Sequence, residues 1–323
     1  MKILVATLLL ALLAGCATTP PPPVGPQYDH TYTARGQASR ARFLVLHYTV
    51  SNRADSIRIL TQQEVSAHYL VTDDPVPVIY NLVDEKNAAW HAGNSSWKNF
   101  TQLNNSSIGI EIVNPGWTET PNGRVYAPFT QAQINALIPL VRDIVTRHHI
   151  EPQNVLGHSD IAPLRKQDPG PMFPWRQLAA AGLVAWPDAN RVAALVPIFQ
   201  IQPPDVAWYQ KKLATWGYGI VQSGVLDEQT RTVLSAFQMK YRPANIDGNP
   251  DIETAALLEA LINPTGPLPP PLPAPVTTSP ILLPGMPTPA PAPLPAPVPA
   301  PEAVPPVPAP ETVPATPPEP TRQ

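Results

Sequence analysis

The sequence predicts a mixed α/β fold of the α+β kind: a central mixed β-sheet flanked by helices, followed by a small three-helix domain. Three features point that way. Short apolar runs rich in strand formers are interspersed with helical stretches across residues 28–190. A loop-to-helix pattern then recurs at a spacing of 24 residues within 191–262. From residue 263 to 323 proline, alanine, valine and leucine take over, and such a stretch buries too little surface to offset its ordering entropy.

The elements follow in order. Arg42 to Tyr48 is an apolar strand. Ala54 to Val65 reads as a helix. His68 to Thr72 and Val76 to Leu82 are two strands around the turn Asp73-Asp74-Pro75. Ser107 to Val113 is another buried strand. Thr130 to His149 is a long amphipathic helix, and Thr130 with Gln133 forms a capping box at its start. Pro139 lies inside that helix, where proline costs about 3 kcal/mol or forces a kink. Asn154 to Leu156 is a last short strand. In the second block Gly224 to Thr230 recurs as Gly248 to Thr254. Each glycine suits a turn, and Asp227 and Asp251 suit N-caps. Helices are expected over 205–216, 228–241 and 252–262.

The ends carry different information. Lys2, a short apolar run and small residues lead to Cys16, which reads as an export signal over 1–15 because the run is too short to span a bilayer. Leu13-Ala14-Gly15-Cys16 resembles the lipobox of bacterial lipoproteins. That resemblance implies cleavage before Cys16, lipidation there, and a membrane anchor worth about 0.8 kcal/mol per buried CH2. Ala17 after the cysteine implies an outer-membrane lipoprotein facing the periplasm in a Gram-negative cell. Residues 16–27 are a proline-rich spacer, and 263–323 is expected to be a disordered tail. A single cysteine excludes an internal disulfide. A net charge of -3 does nothing to suggest nucleic acid, which would need a basic face. A monomer is expected.

Seven histidines narrow the search for chemistry. His30 reads as solvated, and His148 and His149 end a helix, where a cation suits the dipole. His68 opens a strand and reads as a satisfied core residue rather than a ligand. His47, His91 and His158 remain. His47 ends an apolar strand, and His158 follows another strand and a glycine, ten residues before Asp168. Two histidines and a carboxylate are a common zinc set that leaves a fourth position for water. Spacing alone is weak support for such a site. Glu111 stands in the middle of an apolar strand. Alternation leaves it equally able to face solvent or to serve a site.

A resemblance adds to this. The run from Leu156 to Trp175, LGHSDIAPLRKQDPGPMFPW, resembles the signature of the type-2 N-acetylmuramoyl-L-alanine amidases. Segments around His47, His68, Trp90-His91-Ala92-Gly93 and Glu111 match that family in its order. Residues 205–262 resemble the type-1 peptidoglycan-binding domain, through Trp208 to Leu213, Trp216 to Tyr218, Asp227 to Thr230 and Phe237-Gln238. The resemblance implies the fold of peptidoglycan-recognition proteins and T7-type lysozyme. It implies one Zn2+ per chain held by His47, His158 and Asp168, with Glu111 as general base and Lys166 stabilising the developing oxyanion. It implies contact of Trp90 and His91 with substrate, although packing serves these two nearly as well. The expected partner is peptidoglycan or its muropeptides, cut between N-acetylmuramic acid and L-alanine. A non-catalytic lipoprotein tethering the outer membrane to the wall is the alternative.

Overall fold

The computed structural model describes residues 25–268, apart from Gln27 and Asn122. The export signal, Cys16 and the tail from residue 269 onward lie outside the described residues.

The first strand, β1 (Phe43–Tyr48), is buried along its whole length. That suits a parallel strand covered on both faces. Next come α1 (Arg53–Gln62), β2 (Tyr69–Val71), β3 (Ile79–Asn81), a short ribbon of β4 (Ser96–Trp97) and β5 (Phe100–Thr101), and β6 (Ser107–Ile112). A hairpin of β7 (Trp117–Thr120) and β8 (Gly123–Tyr126) leads to α2 (Gln131–His148), β9 (Val155–Gly157), α3 (His158–Ile161) and α4 (Trp175–Ala180). The helical block consists of α5 (Ala189–Ile201), α6 (Val206–Trp216), α7 (Glu228–Tyr241) and α8 (Ile252–Ile262). The main sheet has the order β3-β2-β6-β1-β9. It is parallel except for the antiparallel edge strand β3.

Alternation decides what each sheet face carries. Leu44 and Leu46 of β1, with Ile108, Ile110 and Ile112 of β6, pack on Ile134, Leu137, Val141 and Ile144 of α2. The opposite face is left with Phe43, Val45 and His47, in register with Ser107, Gly109 and Glu111. Small and polar residues at alternate positions of β6 thus belong to one face, and that face holds the site.

The helix α2 starts with the expected capping box. Pro139 and Asn135, the residue four positions before it, are both exposed. The carbonyl that Pro139 leaves without an N–H partner is therefore on the exposed side of the helix, which lowers the cost of a proline there. Pro197 in α5 obeys the same rule, with Ala193 exposed.

The helical block departs from expectation in two ways. It has a fourth helix, α5, which packs along α8. It also shares a core with the sheet: Phe43, Val45, Trp97 and Leu156 are contiguous with Leu213, Tyr218 and Phe237, and both blocks fall in one compact unit. The repeat has a hydrogen-bonding logic. Asp227 and Asp251 cap α7 and α8 by accepting from Thr230 and Thr254. Buried Gln210 and Gln238 each bond a turn glycine, at 2.7 and 2.8 Å to Gly224 and Gly248, and also the capped threonine. Both glycines have positive φ, 75° and 72°, a conformation other residues adopt only under strain.

Candidate metal centre

His47, His158 and Asp168 come from three separate places. His47 lies near the C-terminal end of β1, His158 opens α3 directly after β9, and Asp168 lies in the loop between α3 and α4. Parallel sheets gather functional groups at the carboxyl ends of their strands, and this sheet does so. The loop is tied to α3 because Ser159 N–H donates to the Asp168 carbonyl at 2.9 Å. Gly157 is required at the joint: a Cβ there would lie 2.8 Å from Pro169.

The three donor atoms converge. His47 Nδ1 is 3.0 Å from His158 Nδ1 and 2.9 Å from Asp168 Oδ2, and His158 Nδ1 is 3.1 Å from that same oxygen. All three residues are buried. Donors about 2.1 Å from a tetrahedral zinc lie about 3.4 Å apart, close to these separations. The chemistry of the donor set fits as well. His47 Nε2 lies 3.0 Å from His91 Nδ1, and His158 Nε2 lies 3.1 Å from the Ala92 carbonyl. With a metal held at the centre, each Nε2–H would donate outward and leave the Nδ1 lone pair for the ion, the arrangement that orients a ligand histidine. His91 passes the chain on, with its Nε2 3.1 Å from Ser107 Oγ, which donates to the Leu103 carbonyl at 2.6 Å.

The electrostatics favour a cation. Burial, followed by the charge of His158, lowers the His47 pKa to about 4, so the ring is neutral near neutral pH. Burial alone would raise the Asp168 carboxyl, but in the metal-free protein the charge of His158 and hydrogen bonds from His158 and His47 hold it well below the usual carboxylate range. Glu111 is the counterpart. Its Oε2 is buried without a hydrogen-bond partner. Burial, then the charge of Asp168, raises its pKa to about 8, against the pull of Lys166.

A pocket of about 190 Å³ opens onto this cluster, lined by Glu111, His158, Asp168 and Lys166. Trp90, 62% exposed, lies at its rim. His91 also borders it, but both of its ring nitrogens bond to His47 and Ser107. Gly109 lies directly beneath His91, because a Cβ there would fall 2.4 Å from the ring. His68 is buried and accepts from Gly109 N–H at 3.0 Å, away from the donor cluster.

Sequence reasoning did not foresee Ser107, the Ala92 carbonyl or Arg165. Arg165 Nη2 donates to the carbonyls of Ala92 and Asn94 at 2.8 and 3.1 Å and so holds the strip beside His158. A backbone carbonyl leaves no trace in a sequence. Arg165 had only its place beside Lys166 to mark it.

Fold and site together fit a metal-centred hydrolase. Residues 37–171 match the family described as N-acetylmuramoyl-L-alanine amidase, and residues 202–258 match a peptidoglycan-binding domain family. The chain is 45% identical over 266 residues to the N-acetylmuramoyl-L-alanine amidase AmiD of Escherichia coli, covering 79% of this chain and 95% of AmiD. A solved complex of E. coli AmiD with anhydro-N-acetylmuramic acid-L-Ala-D-gamma-Glu-L-Lys superposes with a TM-score of 0.69 at 44% identity, covering 75% of this chain and 96% of that one. AmpDh3 of Pseudomonas aeruginosa, solved with an anhydromuramic pentapeptide, superposes at 0.68 with 40% identity, covering 75% and 98%. The chain belongs to the N-acetylmuramoyl-L-alanine amidase family.

Proposed function

We propose that this chain is a zinc-dependent amidase that hydrolyses the amide between N-acetylmuramic acid, or its anhydro form, and the L-alanine of peptidoglycan stem peptides. The observation that carries the reading is the convergence of two imidazole nitrogens and one carboxylate oxygen beside a half-buried glutamate whose Oε2 is buried without a hydrogen-bond partner. Family membership supplies the bond that is cut, and the muropeptide complexes of AmiD and AmpDh3 support the substrate class.

His47, His158 and Asp168 would hold Zn2+, the ion that suits a two-nitrogen, one-oxygen set with an open position. Zinc supplies a water of lowered pKa, from 15.7 to about 7, and polarises a carbonyl. Glu111 accepts a proton from the attacking water and returns it to the departing L-alanine nitrogen. Its place fits this role: it lines the pocket, and its Oε2 has no hydrogen-bond partner to compete for a proton. Lys166, on the pocket wall, offers positive charge where the scissile carbonyl oxygen becomes negative. Trp90 offers an exposed ring to the sugar or stem peptide at the rim. His91 and Ala92 keep the two ligand histidines in one tautomer.

The sequence further supports an anchor through a lipidated Cys16 at the outer membrane, facing the periplasm. Cys16→Ser should move the protein from the membrane to the soluble fraction; unchanged fractionation would refute the anchor. The central test incubates residues 17–323 with purified peptidoglycan and identifies products by mass spectrometry. Free stem peptides beginning with L-alanine are expected, and should be lost with a zinc chelator and with Glu111→Ala. Intact muropeptides from folded, zinc-loaded protein would refute the amidase reading.

A further inference from the structure

The helical block grips the turn that carries His158, and it does so with charge as well as apolar packing. Lys240 of α7 is 4% exposed. Its Nζ donates to Asp160 Oδ2 at 2.8 Å and to the Val155 carbonyl at 3.1 Å, and lies 4.3 Å from the centre of the Trp175 ring. Tyr218, just beyond α6, donates its hydroxyl to Asp160 Oδ1 at 2.6 Å. Asp160 Oδ2 also accepts from Gly157 N–H at 2.8 Å. Both oxygens of a carboxylate two residues past His158 are thus bonded from the helical block. Lys240 spans the turn from the first residue of β9 to α3.

The rest of the junction is built to the same closeness. Trp97 meets Tyr218 edge to face at 5.0 Å, and Lys98 N–H donates to the Gly217 carbonyl at 2.8 Å. A Cβ on Gly217 would lie 2.6 Å from the Trp97 ring.

Apolar packing alone would join the two blocks as well. A buried ion pair gains little stability over hydrophobic residues of the same volume, and its best-attested use is to fix position. What this one fixes is the backbone at Gly157 to Asp160, and with it the direction of the His158 ring. The Ser159 bond to the Asp168 carbonyl extends the same hold to a second donor residue. We propose that Lys240 and Tyr218 are positioning residues of the metal centre, so that the helical block completes the amidase site in addition to any role in wall binding. This rests on His158 being a metal ligand.

The test uses the full soluble chain with Lys240→Met, Tyr218→Phe and, as a control, Lys212→Met. Lys212 pairs with Glu259 at 2.5 Å within the helical block and touches neither Asp160 nor the turn. Three quantities are read: the zinc dissociation constant by competition with a chromophoric chelator, hydrogen exchange of residues 155–161 in the metal-free protein, and the melting temperature. Lys240→Met should raise the zinc dissociation constant on the order of 10–100-fold, as loss of outer ligand support does. It should also speed exchange in 155–161. Tyr218→Phe should shift both in the same direction by less. Lys212→Met should lower the melting temperature and leave zinc affinity unchanged. If Lys240→Met fails to fold, Tyr218→Phe decides. Wild-type zinc affinity and wild-type exchange in Tyr218→Phe and in any folded Lys240→Met would overturn the proposal, whatever happens to melting. If the wild-type chain itself binds no zinc, the metal reading fails first and this inference with it.

Discussion

Replacing Glu111 by glutamine removes a charge that the metal-free fold holds at a cost. The Glu111 carboxyl is pushed from 4.5 to about 8, by burial first and by Asp168 second. A carboxyl whose pKa is raised on folding favours its neutral form in the folded state. The penalty for ionising it is absent below pH 4.5, grows as pH rises, and is complete above pH 8. Each tenfold change contributes about 1.4 kcal/mol, so the penalty is about 2 kcal/mol at pH 6 and about 5 kcal/mol at pH 9. Glutamine keeps the shape and has no charge to lose. The stability of Glu111→Gln relative to wild type should therefore rise by about 3 kcal/mol between pH 6 and pH 9. Urea denaturation of both metal-free proteins at the two pH values measures it, and comparing them cancels other titrating groups. Turnover of the zinc-loaded variant should fall by at least the 10²–10⁴-fold typical of a lost general base. A stability difference that does not change with pH would refute the claim that its surroundings raise the Glu111 carboxyl. The physical argument for its role would fall too.

Other substitutions probe other links. His91→Ala should weaken zinc binding on the order of 10–100-fold with little change in KM, read by chelator competition and steady-state kinetics; a change in KM alone would make His91 a substrate contact. Gly109→Ala places a Cβ 2.4 Å from the His91 ring, so His91 must leave His47, and the zinc loss of His91→Ala should recur without His91 being touched. Asp168→Ala should remove bound metal as counted by elemental mass spectrometry, and full occupancy would take Asp168 out of the ligand set. Gly217→Ala, with φ at 146° and the Trp97 ring 2.6 Å from the new Cβ, should cost at least the 1–3 kcal/mol of ordinary overpacking in urea denaturation.

Much of this protein could be read directly from its sequence because local physics marks it. Strand β1 and helix α2 announce themselves by apolar pattern and capping box, and the two loop-to-helix joints by their Gly, Asp and Thr spacing. His47, His158 and Asp168 stood out through the motif around them, and the folded chain brings their donor atoms within about 3 Å of one another. The hairpins β4–β5 and β7–β8 and the helices α3, α4 and α5 were not legible. The ribbons are two to four residues long, and α3 and α4 are four and six residues long, too short for a period to show. Only the folded sheet could decide the face of Glu111, since alternation gives two faces and α2 had to claim one of them. The supports of the metal centre were equally a matter of tertiary structure. The Ala92 carbonyl and the Lys240–Asp160 pair come from distant parts of the chain, across separations of 66 and 80 residues, and the Ser107 hydroxyl reaches His91 from another strand. A sequence shows which residues carry chemistry; which of them meet, and with what protonation, depends on a long-range packing that no local pattern encodes.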